Sequence, residues 1–240
     1  MTTPADTDTG SRPLSLREVW RTARPRSKDL FHDLILDYED YHVHVHTGHA
    51  TRARLIAPWI DRGSRVLDAG CGDGFIAEFL ARERGAVVEG IDLAEAAVEK
   101  TRARGVPARV QDLDANPSLP EGFDYILFVE VLEHLRYPHA VLREASSRAV
   151  KAVVVTIPNS AWAGYRLQML FGHAPVQSFT HLHLWSHKDF LAFCDRLGIG
   201  TPEARFLTSD LAIRSILVRH WPNLLAHQLA YRIPTGGTRR

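Results

Sequence analysis

Val66-Leu67-Asp68-Ala69-Gly70-Cys71-Gly72-Asp73-Gly74 is an apolar run that breaks into a glycine-rich turn and then into an amphipathic stretch. That order reads as strand, tight turn and helix, because glycine alone adopts positive φ freely and lets the backbone approach a neighbour. The same alternation continues downstream. Strands are predicted at 64–69, 87–91, 107–111, 124–129, 151–157, 204–208 and 226–232. Helices are predicted at 74–84, 94–104, 137–148, 187–197 and 211–219. Runs such as Tyr125-Ile126-Leu127-Phe128-Val129 and Ala152-Val153-Val154-Val155-Thr156-Ile157 are apolar throughout, as central strands buried on both faces must be. The expected class is α/β, a Rossmann-like, mostly parallel sheet of seven strands flanked by helices.

Upstream of Gly63 the pattern differs. Residues 1–27 form a loose or helical tail, polar at its start and then rich in arginine (Arg17, Arg21, Arg24, Arg26). The arginine stretch suits a solvated helix face or an RNA-contacting arm. Residues 28–60 carry a helical apolar pattern and are expected to form a lid, with 61–240 as the core of a single domain over 28–240. Inside the lid, His42, His44 and His46 share a face if extended, whereas His42, His46 and His49 share one if helical. Zinc binding, pocket lining and an exposed lid stay open for this cluster. It belongs to a chain with thirteen histidines.

The glycine spacing is G-x-G-x-G rather than the G-x-G-x-x-G of a pyrophosphate cradle, which disfavours a nicotinamide or flavin site. Asp68, Asp92 and Asp112 stand at the ends of three consecutive strands. In an open parallel sheet such ends converge on one crevice. Asp92, about twenty residues after the turn, is placed to accept both hydroxyls of a ribose, and Asp112 to accept from an adenine amino group.

The set VLDAGCGDG, VEGIDL, VQDLD, FDYILFVEVLEHL and VVVTIPN resembles the class I S-adenosylmethionine-dependent methyltransferases, over roughly Leu55 to Ile233. Within that superfamily, VVVTIPNSAWAGYRLQMLFGHAPV and WPNLLAHQLAYRI look most like MetW-type proteins of methionine biosynthesis, apart from the N-terminal extension. The resemblance implies an antiparallel last strand. It places Gly70 and Gly72 against the methionine part of the cofactor and Asp92 at its ribose. Leu93, Asp112 and Leu113 would complete the adenosine site with Asp68 nearby, and Glu130 would lie at the methyl-transfer crevice.

Glu130-Val-Leu-Glu133-His134 would put two carboxylates and an imidazole on one face if a helix begins at residue 130. His181-Leu-His183-Leu-Trp185 is similar to a segment of small-RNA 3′-terminal 2′-O-methyltransferases, where a histidine joins an E-x-x-E-H set around a divalent ion. By that likeness the metal ligands here would be Glu130, Glu133, His134 and His181. Two carboxylates and two imidazoles suit manganese, iron or zinc better than magnesium, although the likeness allows magnesium. The ordinary alternatives are helix capping by Glu133 and packing by the histidines.

An alcohol acceptor needs a base or a metal to lose its proton, so His134, His181 and Glu130 are the catalytic candidates. O-methylation of a small metabolite or natural product is expected, with Trp162, Tyr165, Phe171 and Trp185 as an apolar wall or as core. Two other roles remain in view. One is a MetW-like non-catalytic or regulatory partner of an acyltransferase in methionine biosynthesis, and the other is metal-dependent RNA 2′-O-methylation. With 29 basic against 28 acidic residues, composition disfavours nucleic acid. The two cysteines point to a reducing cytoplasm, and the lack of a long apolar run argues against a membrane span, so no membrane partner is expected. A homodimer is compatible with all of this.

Overall fold

The computed structural model describes residues 48–172, 180–208 and 217–235. The chain begins there with helix α1 (His49–Ile56) and a 3-10 turn (Ala57–Trp59). Strand–helix alternation follows: β1 (Arg65–Ala69), α2 (Phe75–Arg84), β2 (Val87–Asp92), α3 (Glu95–Ala103), β3 (Ala108–Val110) and β4 (Tyr125–Val129). The second half runs α4 (Pro138–Arg148), β5 (Ala152–Pro158), α5 (Ala163–Leu170), α6 (His187–Leu197), β6 (Glu203–Leu207), α7 (Pro222–Leu225) and β7 (Gln228–Pro234).

Seven strands form one sheet in the order β3-β2-β1-β4-β5-β7-β6. β1 through β5 pair in parallel, with Leu67 facing Glu89 on one side and Ile126 on the other. β7 alone reverses and pairs antiparallel with both β5 and β6. The order turns back between β1 and β4, and their carboxyl ends therefore open the crevice where ligands bind in such sheets.

The two faces of the sheet are covered separately, as alternation along each strand requires. Ile126, Phe128, Val153 and Val155 pack with Val141 and Leu142 of α4 and Phe190 of α6. Tyr125, Leu127, Ala152 and Val154 face the other way, against Ile56 of α1 and Ile76 and Leu80 of α2. α6 starts at a capping box, Ser186 accepting from Asp189 N–H, and ends at Gly198 with φ 66°.

The predicted strands and the four helices over 74–104, 137–148 and 187–197 all form, within two residues at each end. β7 starts two residues later than expected because Pro222–Leu225 winds into a short helix first. The predicted helix at 211–219 lies largely outside the described residues, as do the tail 1–27 and His42, His44 and His46 of the lid. α5 was not expected, and none of its side chains is buried. No described helix is long and apolar enough to cross a membrane.

Candidate active site

The turn after β1 is held open by glycine at every second residue, with φ of 88° at Gly70, 55° at Gly72 and 78° at Gly74. A Cβ on Gly70 would lie 2.3 Å from Val131 Cγ2, so this residue lets the turn touch the loop after β4. A Cβ on Gly72 would meet nothing within 4 Å, so the middle of the turn faces open space. The turn is fixed from beneath: Gly70 N–H and Cys71 N–H both donate to Ile91 O, and Thr101 Oγ1 donates to Gly72 O.

Asp92 ends β2 beside this turn. Its Oδ2 accepts from Gly72 N–H at 2.9 Å and its Oδ1 from Ala94 N–H at 3.0 Å. A carboxylate has lone pairs left after two such bonds, and can accept further donors. Asp68 is 1% exposed, and among the described residues neither of its oxygens has a hydrogen-bond partner. Burial, with the charges of Asp92 and Asp73 added, pushes its carboxyl up to about 8. Asp112 is exposed and caps its own turn, its Oδ1 accepting from Asp114 and Ala115 N–H. Leu113 beside it is buried, while Leu93 is exposed.

Across the crevice, residues 130–134 make a turn rather than the expected helix. Glu130 sits at φ 59°, in the left-handed region, and His134 N–H closes the turn on Val131 O. The shared helical face therefore does not form. Glu130 instead turns toward α1 and β5: Oε2 accepts from Arg52 Nη2 at 3.3 Å and Oε1 from Thr156 Oγ1 at 3.1 Å. Burial raises its carboxyl, and the Arg52 charge works against that rise.

Glu133, His134 and His181 do come together. One ligand atom from each lies within 4.8 Å of the others. The backbone does this: Glu133 O accepts from Leu182 N–H at 2.8 Å and His183 N–H at 3.1 Å, which draws the segment after Thr180 onto the β4 turn. The two imidazoles meet edge to face, 4.7 Å between centroids at 78°. His134 Nδ1 lies 3.2 Å from Thr180 O. A carbonyl only accepts, so Nδ1 carries the proton and Nε2 keeps its lone pair. Burial lowers the pKa of His181, which favours its neutral form. Glu133 is fully buried with both oxygens unpartnered among the described residues. Burial, and then the neighbouring Glu130 charge, lift its carboxyl well above the usual range.

The remaining candidates divide. His49 starts α1 and places Nδ1 3.5 Å from Asp73 of the glycine turn. His187 is structural, hydrogen-bonded to Tyr231 Oη at 2.9 Å and stacked on its ring. The aromatic wall does not assemble as expected: Trp185 packs in the core against Phe190 and Phe193, and Phe171 is 75% exposed. Trp162 and Tyr165 remain together, 5.4 Å between rings. The sequence reading missed Arg52 and Thr156. Thr156 carried a signal, the lone hydroxyl in an apolar strand; Arg52 looked like any surface arginine.

A glycine turn after β1, an acidic end to β2 and a β3-β2-β1-β4-β5-β7-β6 sheet define the class I S-adenosylmethionine-dependent methyltransferase superfamily. Within it, the profile described as Methionine biosynthesis protein MetW matches residues 51–233, and the chain belongs to this family. A ubiquinone biosynthesis O-methyltransferase of Neisseria meningitidis serogroup C is 37% identical over 94 residues, covering 36% of this chain and 40% of that protein. Another, of Pseudomonas entomophila, is 38% identical over 105 residues, 39% of this chain and 44% of that protein. The chain thus aligns with less than half of these curated relatives. Magnesium protoporphyrin IX methyltransferase from Synechocystis PCC 6803, solved with bound S-adenosylhomocysteine, shares the fold. Its TM-score is 0.61 at 17% identity, over 87% of this chain and 97% of that one.

Proposed function

We propose that the chain transfers a methyl group from S-adenosylmethionine to an oxygen of a small acceptor. The observation that carries this is Glu133, buried and unpartnered between His134 and His181, at the carboxyl end of β4 beside the glycine turn. The relatives named as O-methyltransferases support the same reading. The cofactor crevice fits a cationic nucleoside: Gly72 leaves open space, Asp92 presents a carboxylate at the β2 end, and Asp68 is a buried carboxylate without a donor. When bound, S-adenosylmethionine supplies an electrophilic methyl on a sulfonium, so the protein has to align the acceptor and manage its proton.

In this reading Asp92 holds the ribose, and Gly70 and Gly72 let the backbone approach the methionine part. Leu93, Asp112 and Leu113 lie along the adenine side. His134 offers Nε2 to an acceptor hydroxyl, because Thr180 already takes the proton on Nδ1. His181, kept neutral by burial, is the second base within reach. Glu133, His134 and His181 also form a donor set for a divalent ion, and the chemistry it would supply is a lower pKa for that hydroxyl. Glu130 enters as the residue that Arg52 and Thr156 hold in place beside them.

The test is transfer of labelled methyl to a panel of phenols and hydroxy acids, with and without manganese or zinc. Turnover should fall by about 10²-fold or more in His134→Ala, while binding of S-adenosylhomocysteine stays as in the wild type. Unchanged turnover would remove His134 from the mechanism.

The family match favours a second reading, a role in methionine biosynthesis as a partner of an acyltransferase. Co-purification with such an enzyme, in the absence of methyl transfer to any acceptor, would establish it over the first.

A further inference from the structure

The exposed apolar side chains are gathered in one region. Of the fourteen large hydrophobic residues exposed among the described ones, nine lie in three segments: 167–171, 182–184 and 217–224. These segments are neighbours, tied together at one residue. Asn159 is fully buried and its Nδ2 donates to the carbonyls of Pro222, Asn223 and Ala226, which sets α7 beside the start of α5. Ser160 N–H donates to Trp185 O and His187 N–H to Asn223 Oδ1, which closes the 180–187 segment onto both.

The same region is poor in negative charge, with the exposed carboxylate of Asp189 next to Lys188 at its border. No Asp or Glu occurs between Glu144 and Asp189, and none after Asp210, although the chain has 28 acidic residues. Arg166, Lys188 and Arg219 are exposed there, and no ion pair among the described residues engages them. The near-neutral chain is therefore strongly asymmetric.

We propose that this face docks on an anionic lipid surface, with α5 as the part that enters the headgroup layer. α5 buries none of its side chains, and Leu167, Leu170 and Phe171 stand at i, i+3 and i+4 on one side of it. Leu170 is 81% exposed and Phe171 75%, so the apolar tip projects outward rather than lining a groove. Trp221 stands among the exposed side chains of the adjoining segment, and tryptophan favours the level of lipid headgroups. Projecting apolar side chains ringed by arginine and lysine are what an interfacial helix presents to a charged bilayer. An RNA would use the cations but gain little from Leu167 and Leu170. A peripheral contact needs no spanning helix, so the absence of one among the described helices does not bear on it.

The test is flotation of the full chain with phosphatidylcholine vesicles containing phosphatidylglycerol, against phosphatidylcholine alone, at two salt concentrations. The chain should float with the anionic vesicles and at least about tenfold less with neutral ones, since each arginine or lysine near such a surface contributes about fivefold. The Leu167→Asp/Leu170→Asp double variant should lose at least about tenfold in vesicle binding, while its circular dichroism and its affinity for S-adenosylhomocysteine stay unchanged. Arg166→Glu should weaken binding to anionic vesicles only. Three results would overturn the proposal. They are no flotation of the wild type, equal flotation of the double variant, or capture by single-stranded RNA, a protein partner or a second copy without vesicle binding.

Discussion

Asp68→Asn should stabilise the ligand-free protein at neutral pH while weakening its hold on the cofactor. The carboxyl of Asp68 is 1% exposed, has no hydrogen-bond donor among the described residues, and titrates at about 8 instead of 3.8. Between those two values the native state keeps a proton that the unfolded chain has released. Stability from this group is therefore intact below pH 4 and falls as pH rises toward 8, by about 1.4 kcal/mol per unit. From pH 5 to pH 7 the loss is about 3 kcal/mol, an upper figure because buried sites relax. Asparagine has the same shape and no charge to desolvate, so it should remove that slope. Urea denaturation of both proteins at pH 5, 6, 7 and 8 reads the effect, with the wild type declining more steeply across the series. Calorimetry with S-adenosylmethionine on the same samples should show weaker binding in the variant, because the Asp68 carboxyl can give up its proton when the sulfonium cation binds and an amide cannot. Parallel pH profiles for the two proteins would refute the reasoning. Tighter binding by Asp68→Asn would refute its assignment to the cofactor crevice.

Three further perturbations separate structure from chemistry. Gly70→Ala should cost about 2–4 kcal/mol by thermal denaturation, because a Cβ there meets Val131 Cγ2 at 2.3 Å and φ is 88°. Adding Val131→Ala should recover only the steric part. Glu133→Gln should raise stability at neutral pH, since burial opposes the charged form. It should also abolish any manganese or zinc binding measured by equilibrium dialysis. Asn159→Ala should cost about 1–3 kcal/mol in urea denaturation by taking the Asn159 donor from the buried Ala226 carbonyl, with methyl transfer per folded molecule little changed.

Why some of this was legible in the sequence and some was not follows from range. The strands were readable because β4 and β5 are apolar along their whole length, and the glycine turn because its spacing is local. α5 was not, since a helix of 8 residues is too short to establish a period. Glu130-Val-Leu-Glu133-His134 misled for the opposite reason. Its spacing suits a helix, yet one residue at φ 59° turns the segment and pairs Glu130 with Arg52 and Thr156. The meeting of His134 with His181 depends on backbone hydrogen bonds between Glu133 and residues 182–183, and only the folded chain shows them.

Charge shows the same limit more sharply. A formal net charge of +1 argues against an extended basic surface when composition is all that is known. Yet a sum says nothing about placement, and the field at a surface is set within a Debye length, about 8–10 Å at moderate salt. Twenty-eight acidic residues that avoid 145–188 and everything after Asp210 leave those segments cationic whatever the total is. Net charge thus disfavours nucleic acid for the molecule as a whole without describing the face that α5 and α7 share. The three segments gathered around Asn159 and Ser160 combine apolar exposure with few carboxylates. That combination is what separates a surface suited to lipid from a merely uncovered one.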